Sequence, residues 1–194
     1  LSDCKHSIAA LNMVRNSYKN GLAIRNTGRA VYAMESSLVV GNDVSGCVKD
    51  GYRVVRAQYF SLMGNSGCGN YNGLVVLGDP SAPTQYGGIE GNFFNANSND
   101  GVYFDTSNVQ YLDYSKNQSN LNGRFGVYVS RFAGGIMHGN TSVNNVSRQY
   151  NISSFATFRS FSKNTGAGAA DYVNAGKYPE GIGVDLALTG AIAL

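Results

Sequence analysis

Gly101-Val102-Tyr103-Phe104-Asp105 is followed, 25 residues further on, by Gly126-Val127-Tyr128-Val129-Ser130. Successive side chains of a strand point to opposite faces. Val102 and Phe104 therefore share one face, and Tyr103 and Asp105 the other. The second stretch repeats the phase, with Val127 and Val129 inward and Tyr128 and Ser130 outward. Working outward, Asn20-Gly21, Asp50-Gly51 and Asn72-Gly73 open similar apolar runs, and the glycine intervals are 30, 22, 28 and 25. A further 25 residues lead to Asn151-Ile152, where Asn replaces Gly. A period of this size marks a solenoid in which each repeat is one coil. Function then belongs on the outside of the stack.

A second marker supports the register. Asn42, Asn65, Asn92, Asn117 and Asn140 each follow the second strand of a repeat, and the step to the next repeat glycine is 8–9 residues. Four of them sit in Gly-Asn pairs, and both residues tolerate the left-handed backbone of a tight corner. Asn at equivalent corners can ladder amide to amide, satisfying polar groups between coils. Counting forward from each glycine, Tyr111-Leu112-Asp113 falls on Ile136-Met137-His138. The extra length of two repeats maps to Arg25-Asn26-Thr27-Gly28-Arg29 and to Asp79 through Gly87. Ser7 to Tyr18 reads as an early coil ending at Asn16, or as a small capping helix. The repeat dissolves after Asn164. The expected division is residues 1–165 as solenoid and 166–194 as a tail that caps the stack or contacts another subunit.

Composition narrows the function classes. Charged residues make up 14% of the 194 and the formal net charge is +3, against about 25% charged residues in an average domain. No Lys/Arg run is present, which argues against nucleic acid. No apolar stretch approaches the roughly 20 residues of a membrane span, so no membrane insertion is expected. Leu1 is expected to follow a cleavage or an upstream part. Cys4, Cys47 and Cys68 lack metal-ligand spacing, so neither metal nor cofactor is expected. Cys47 and Cys68 both end Ser-Gly-Cys triplets and are expected at similar places in adjacent coils, as stacked small residues or as a disulfide. Sequons occur at Asn117, Asn140, Asn145 and Asn151, as chance allows in a chain this rich in Asn and Ser.

The glycine-strand-turn-strand-asparagine pattern, from Asn20 to Asn164, resembles the right-handed parallel β-helix, the pectin-lyase-like superfamily. The resemblance implies an all-β solenoid of about six to seven coils of 22–30 residues. No catalytic motif of pectate lyases or polygalacturonases is present. Within that superfamily the Asn/Ser/Gly richness, low charge and apolar tail look most like a bacteriophage tailspike or tail-fibre segment. That likeness implies a virion location, a homotrimer and bacterial surface polysaccharide as partner. The alternatives are a secreted glycosidase or lyase and a structural or adhesive solenoid.

Equivalent residues of adjacent coils lie about 4.8 Å apart. Tyr103 and Tyr128 thus form an outward aromatic ladder, and such rings suit sugars, with their apolar C–H face and polar rim. Asp105 and Arg131 follow as groups that can bond sugar hydroxyls or acidic substituents, though the pair can equally stabilise the sheet. Asp113 and His138 count as equivalent and form a candidate acid/base pair, or a polar surface pair. Asp79 and Asp105 form the candidate carboxylate pair. One coil spacing and two residues along a strand separate them by about 8 Å, within the roughly 6.5–9.5 Å of an inverting glycosidase. Asp79-Pro80 is also a turn signal.

Overall fold

The computed structural model describes residues 7–25, 37–105, 108–153 and 156–167, with short strands at 172–173 and 185–189. The chain is an all-β, right-handed parallel β-helix, with no helix among the described residues. A seven-stranded front sheet contains Leu22–Arg25, Asp50–Val55, Asn72–Leu77, Val102–Phe104, Phe125–Val129, Arg148–Ile152 and Tyr172–Val173. The back sheet stacks Ile8–Ala10, Leu38–Val40, Ser61–Met63, Gly88–Glu90, Asp113–Ser115, Phe132–His138 and Ala156–Ala167. A third sheet joins Met13–Arg15, Asp43–Ser45 and Ser66–Cys68. From Leu22–Arg25 to Arg148–Ile152 the front sheet makes five full turns, slightly fewer than the glycine spacing suggests.

Inward side chains stack in columns. Ile24, Val54, Val76, Phe104, Val129 and Ile152 lie in register down the front sheet. Val39, Leu62, Ile89, Tyr114, Met137 and Phe161 do the same down the back. All of them are at most 1% exposed. Parallel in-register pairing alone produces this, because a like residue recurs at each coil step.

Two asparagine columns hold the corners. Asn12, Asn42, Asn65, Asn92, Asn117, Asn140 and Asn164 form one chain of Nδ2-to-Oδ1 bonds of 2.7–3.2 Å. Each Oδ1 also accepts the backbone N–H of the preceding Asn, as Asn92 Oδ1 does from Asn65 at 2.9 Å. The remaining amide proton goes to a carbonyl one coil back, such as Leu62 O at 2.9 Å from Asn92. A second column runs Asn70, Asn97, Asn122, Asn145 and closes on Gln149. Asn117, Asn140 and Asn145 are at most 3% exposed in these columns, so their sequons are closed in the folded chain.

The second column explains the glycine period. A Cβ on Gly101 would lie 2.6 Å from both Asn122 Nδ2 and Gly126 O, and one on Gly73 would lie 2.6 Å from Gly101 O. These glycines serve close approach. Left-handed φ belongs to the other corner, where Gly41, Gly64, Gly91 and Gly139 precede the first column.

The asparagine columns also correct three registers. Ser45 pairs with Cys68, so the Ser-Gly-Cys triplets are offset by two residues. Cys47 instead occupies the second-column place, its N–H donating to Asn70 Oδ1 at 2.9 Å, and both thiols are free. Asp113 pairs with Ile136, and His138 with Ser115. Register runs back from Asn117 and Asn140, whereas counting forward from Gly101 crosses a longer bend: Gly101 to Asn117 is 16 residues, Gly126 to Asn140 is 14. Ser7 to Tyr18 is a coil, with strands Ile8–Ala10 and Met13–Arg15, but its column residue is Asn12 rather than Asn16. Strands Tyr172–Val173 and Asp185–Thr189 extend the front and back sheets. Cys4, the insertion after Arg25 and the rest of the tail lie outside the described residues.

Asn92→Ala is expected to lose about 3 kcal/mol or more, because it strands several buried donors and acceptors at roughly 1–3 kcal/mol each. Gly101→Ala is expected to lose about 2–3 kcal/mol by overpacking. Urea unfolding midpoints check both, and a loss below about 1 kcal/mol for Asn92→Ala contradicts the column's role.

Candidate functional site

The front sheet's outward row reads Ala23, Arg53, Val75, Tyr103, Tyr128 and Asn151, one residue per coil. Tyr103 and Tyr128 stack with centroids 5.1 Å apart and planes 5° from parallel. The rings are slipped past each other at this spacing, but both are half-buried, so the stack offers mainly edges and hydroxyls to solvent rather than the open faces expected for a sugar platform. Tyr103 Oη donates to Asp105 Oδ1 at 2.8 Å. Burial, then this bond, pushes its phenol well above the usual tyrosine range. Arg124 lies over Phe125 at 4.7 Å and Tyr128 at 5.5 Å, a cation–π arrangement. Its Nε donates to the buried Asp100 at 2.8 Å, and that hydrogen bond raises the guanidinium's pKa.

Two hollows flank Arg53. The larger, of about 420 Å³, is lined by Val48, Lys49, Asp50, Arg53, Tyr71 and Asn72. The smaller, of about 220 Å³, is lined by Asn20, Ala23, Arg25, Arg53, Val55 and Leu77. Asp50 is the single acid of the two linings and is already engaged. Arg53 reaches it at 2.6 Å and Asn72 Nδ2 donates to it at 2.8 Å. Lys49, Arg53 and Arg25 thus give the hollows net positive charge. Tyr71 is half-exposed on the rim. The hollows depend on coil stacking and leave no trace in spacing.

The other candidates fall as follows. Arg131 is exposed at the bend between Phe125–Val129 and Phe132–His138. Asp79 sits in the turn after Asn72–Leu77, where it accepts from Ser81 N at 2.9 Å, Ser81 Oγ at 2.5 Å and Arg56 at 2.7 Å. The Ser81 bonds, helped by Arg56, hold its carboxyl well below the usual range. A glycosidase's general acid needs the opposite shift, and these bonds staple the turn that Asp79-Pro80 signals. Asp113 and His138 both point outward but stand two residues out of register, and His138 Nδ1 bonds Ser162 Oγ at 2.8 Å. They are not the directly opposed acid/base pair counted from the glycines. Among the described residues no group of three or more His, Cys, Asp or Glu is placed to hold a metal ion.

A feature missed in the sequence lies at the bend before the back sheet. Tyr59, Tyr86 and Tyr111 stack over three coils, with centroids 5.3 and 5.4 Å apart. The available signal was the dipeptide Gln-Tyr at 58–59, 85–86 and 110–111, although a fourth copy, Gln149-Tyr150, is buried in the front sheet.

No protein-family model matches the chain, and no curated protein matches it in sequence. Among solved structures it is similar to a double mutant of the periplasmic alginate epimerase AlgG, with a TM-score of 0.70 and 14% identity over 97% of this chain. The chain spans 47% of that protein's length. At this identity the likeness establishes the parallel β-helix fold.

Tyr52, Tyr103 and Tyr114 all have phenol pKa values raised by burial. Their contribution to stability is complete below the unfolded tyrosine pKa of about 10 and is lost as pH rises beyond it. Urea midpoints are expected to fall above about pH 10, and to fall less steeply in Tyr103→Phe. An identical fall in that variant contradicts the half-buried, Asp105-bonded phenol.

Proposed function

We propose that the front face binds a linear acidic polysaccharide lying along the axis of the stack. The observation that carries this reading is the pair of hollows around Arg53, rimmed by Tyr71 and lined by Lys49 and Arg25. Three coil steps, about 14 Å, separate Arg53 from Tyr128 along one row, a length suited to a few sugar units. Arg53 and Lys49 would take sugar carboxylates. Tyr71 offers an apolar face, and the edges of Tyr103 and Tyr128, with Asp105 and Arg131 beside them, offer hydroxyl-reading groups.

Binding is favoured over hydrolysis because the carboxylates along this face are already partnered. Asp50 is held by Arg53, Asp79 by Arg56 and Ser81, Asp100 by Arg124, and Asp105 by Tyr103. The likeness to an epimerase supports a modifying enzyme as second reading, in which Arg53 neutralises a uronate carboxylate. The composition supports one setting for the binding role: a homotrimeric phage tail spike or fibre meeting bacterial surface polysaccharide. A secreted extracellular protein is the alternative setting, and light scattering separates trimer from monomer.

Calorimetric titration with polygalacturonate is expected to show binding that weakens with salt. Arg53→Ala with Lys49→Ala should weaken it about tenfold or more, since a hydrogen bond to a charged group is worth about 1.5–3 kcal/mol. Salt-insensitive binding, or none, overturns the reading. Absorbance of an unsaturated uronate on incubation would replace binding with lyase action.

A further inference from the structure

The corner before the back sheet carries one dipeptide in three successive coils: Gln58-Tyr59, Gln85-Tyr86 and Gln110-Tyr111. Gln58 bridges Gln85, and Gln85 pairs with Gln110, so the three glutamines stand in backbone register beside the phenols, and the Gln110 amide nitrogen donates to Asn108 Oδ1. The rings are 15° and 9° from parallel and 55%, 45% and 44% exposed. Carbon contacts of about 3.5–4.0 Å, set against centroid separations above 5 Å, mean that each ring slides about 4 Å past the next. A strip of every face is therefore left open, as on shingles.

Nothing in the backbone calls for tyrosine here. Tyr59, Tyr86 and Tyr111 have φ of 51, 54 and 50, a region that bulky residues avoid. The next coil meets the same demand with Gly134, at φ 64, packed directly under Tyr111. Other bends of this chain meet the same φ with Leu11, Arg56 or Leu121, so what singles out this corner is one residue pair kept in three successive coils. Charge is confined to the far end of the ridge, where Arg159 lies across Gly134 from Tyr111. Ser61 and Gly88 flank it on the adjoining strands, with Asp113 only at the third coil, and nearby Arg56 is engaged by Asp79.

We propose that this ridge is a second saccharide-binding surface, separate from the front face and specific for an uncharged linear glycan running along the axis. Each coil presents the same Gln-Tyr pair, at a step close to the length of one pyranose residue, so a polymer of like units meets like contacts. The open ring strips take sugar C–H faces. The glutamine amides supply both donors and acceptors, which matches hydroxyls that are both at once. A protein partner other than a second copy of this chain would have no reason to repeat at the coil step.

The test uses the full chain labelled with ring-13C tyrosine and a panel of neutral gluco-, galacto- and manno-oligosaccharides. Single Tyr→Phe variants assign the signals. Shifts confined to Tyr59, Tyr86 and Tyr111 are expected. Tyr86→Ala should weaken binding at least tenfold and Gln85→Ala severalfold. Cooperative urea unfolding in Tyr86→Ala confirms that the variant is folded, whether or not polyuronate binds the front face. The proposal is overturned if no neutral oligosaccharide moves those signals, or if Tyr86→Ala binds like the parent chain. It is equally overturned if light scattering shows a self-association that Tyr86→Ala abolishes, which assigns the ridge to a second copy.

Discussion

Everything in this molecule hangs on the buried side-chain amide. A parallel solenoid turns its chain several times per coil, and each turn leaves backbone groups that the sheets cannot pair. Burying them unpaired is costly. Asparagine at the corner solves this locally: its oxygen accepts two bonds from the coil before, and its nitrogen donates back and forward. The bonds run between coils, so each amide fixes the register of its neighbours as well as its own turn.

From that constraint the surface follows. With register locked, outward residues one coil apart form rows, and a row's chemistry is whatever the chain places at that position. The front row joins Arg53 to the Tyr103–Tyr128 stack. The opposite bend lines up three Gln-Tyr pairs. Neither is a pocket in the usual sense; each is a linear array with the period of the coil. An array of this kind suits a polymeric ligand, and the two rows differ in charge.

Much of this was legible in the chain, for a physical reason. Apolar alternation such as Val102/Phe104 and Val127/Val129 reports burial directly, and the Gly-Asn pairs report a corner with few other solutions. Those signals located the coils and the Tyr103–Tyr128 stack. Counting from glycine failed for Asp113 and His138 because bends between strands absorb extra residues without disturbing the columns. It failed for Cys47 and Cys68 because the nearby Asn42 and Asn65, not the triplets, hold register. Ion pairs such as Arg56–Asp79, and the hollows beside Arg53, arise from side-chain reach across coils, which no spacing encodes.

Hydroxyl-radical footprinting of the chain with and without polygalacturonate tests the central claim most directly, because it maps contact rather than affinity. The account predicts protection at Val48, Tyr71, Tyr103 and Tyr128, with Tyr59, Tyr86 and Tyr111 unchanged. Protection on the back sheet, or protection at the Gln-Tyr ridge without the front face, would contradict it.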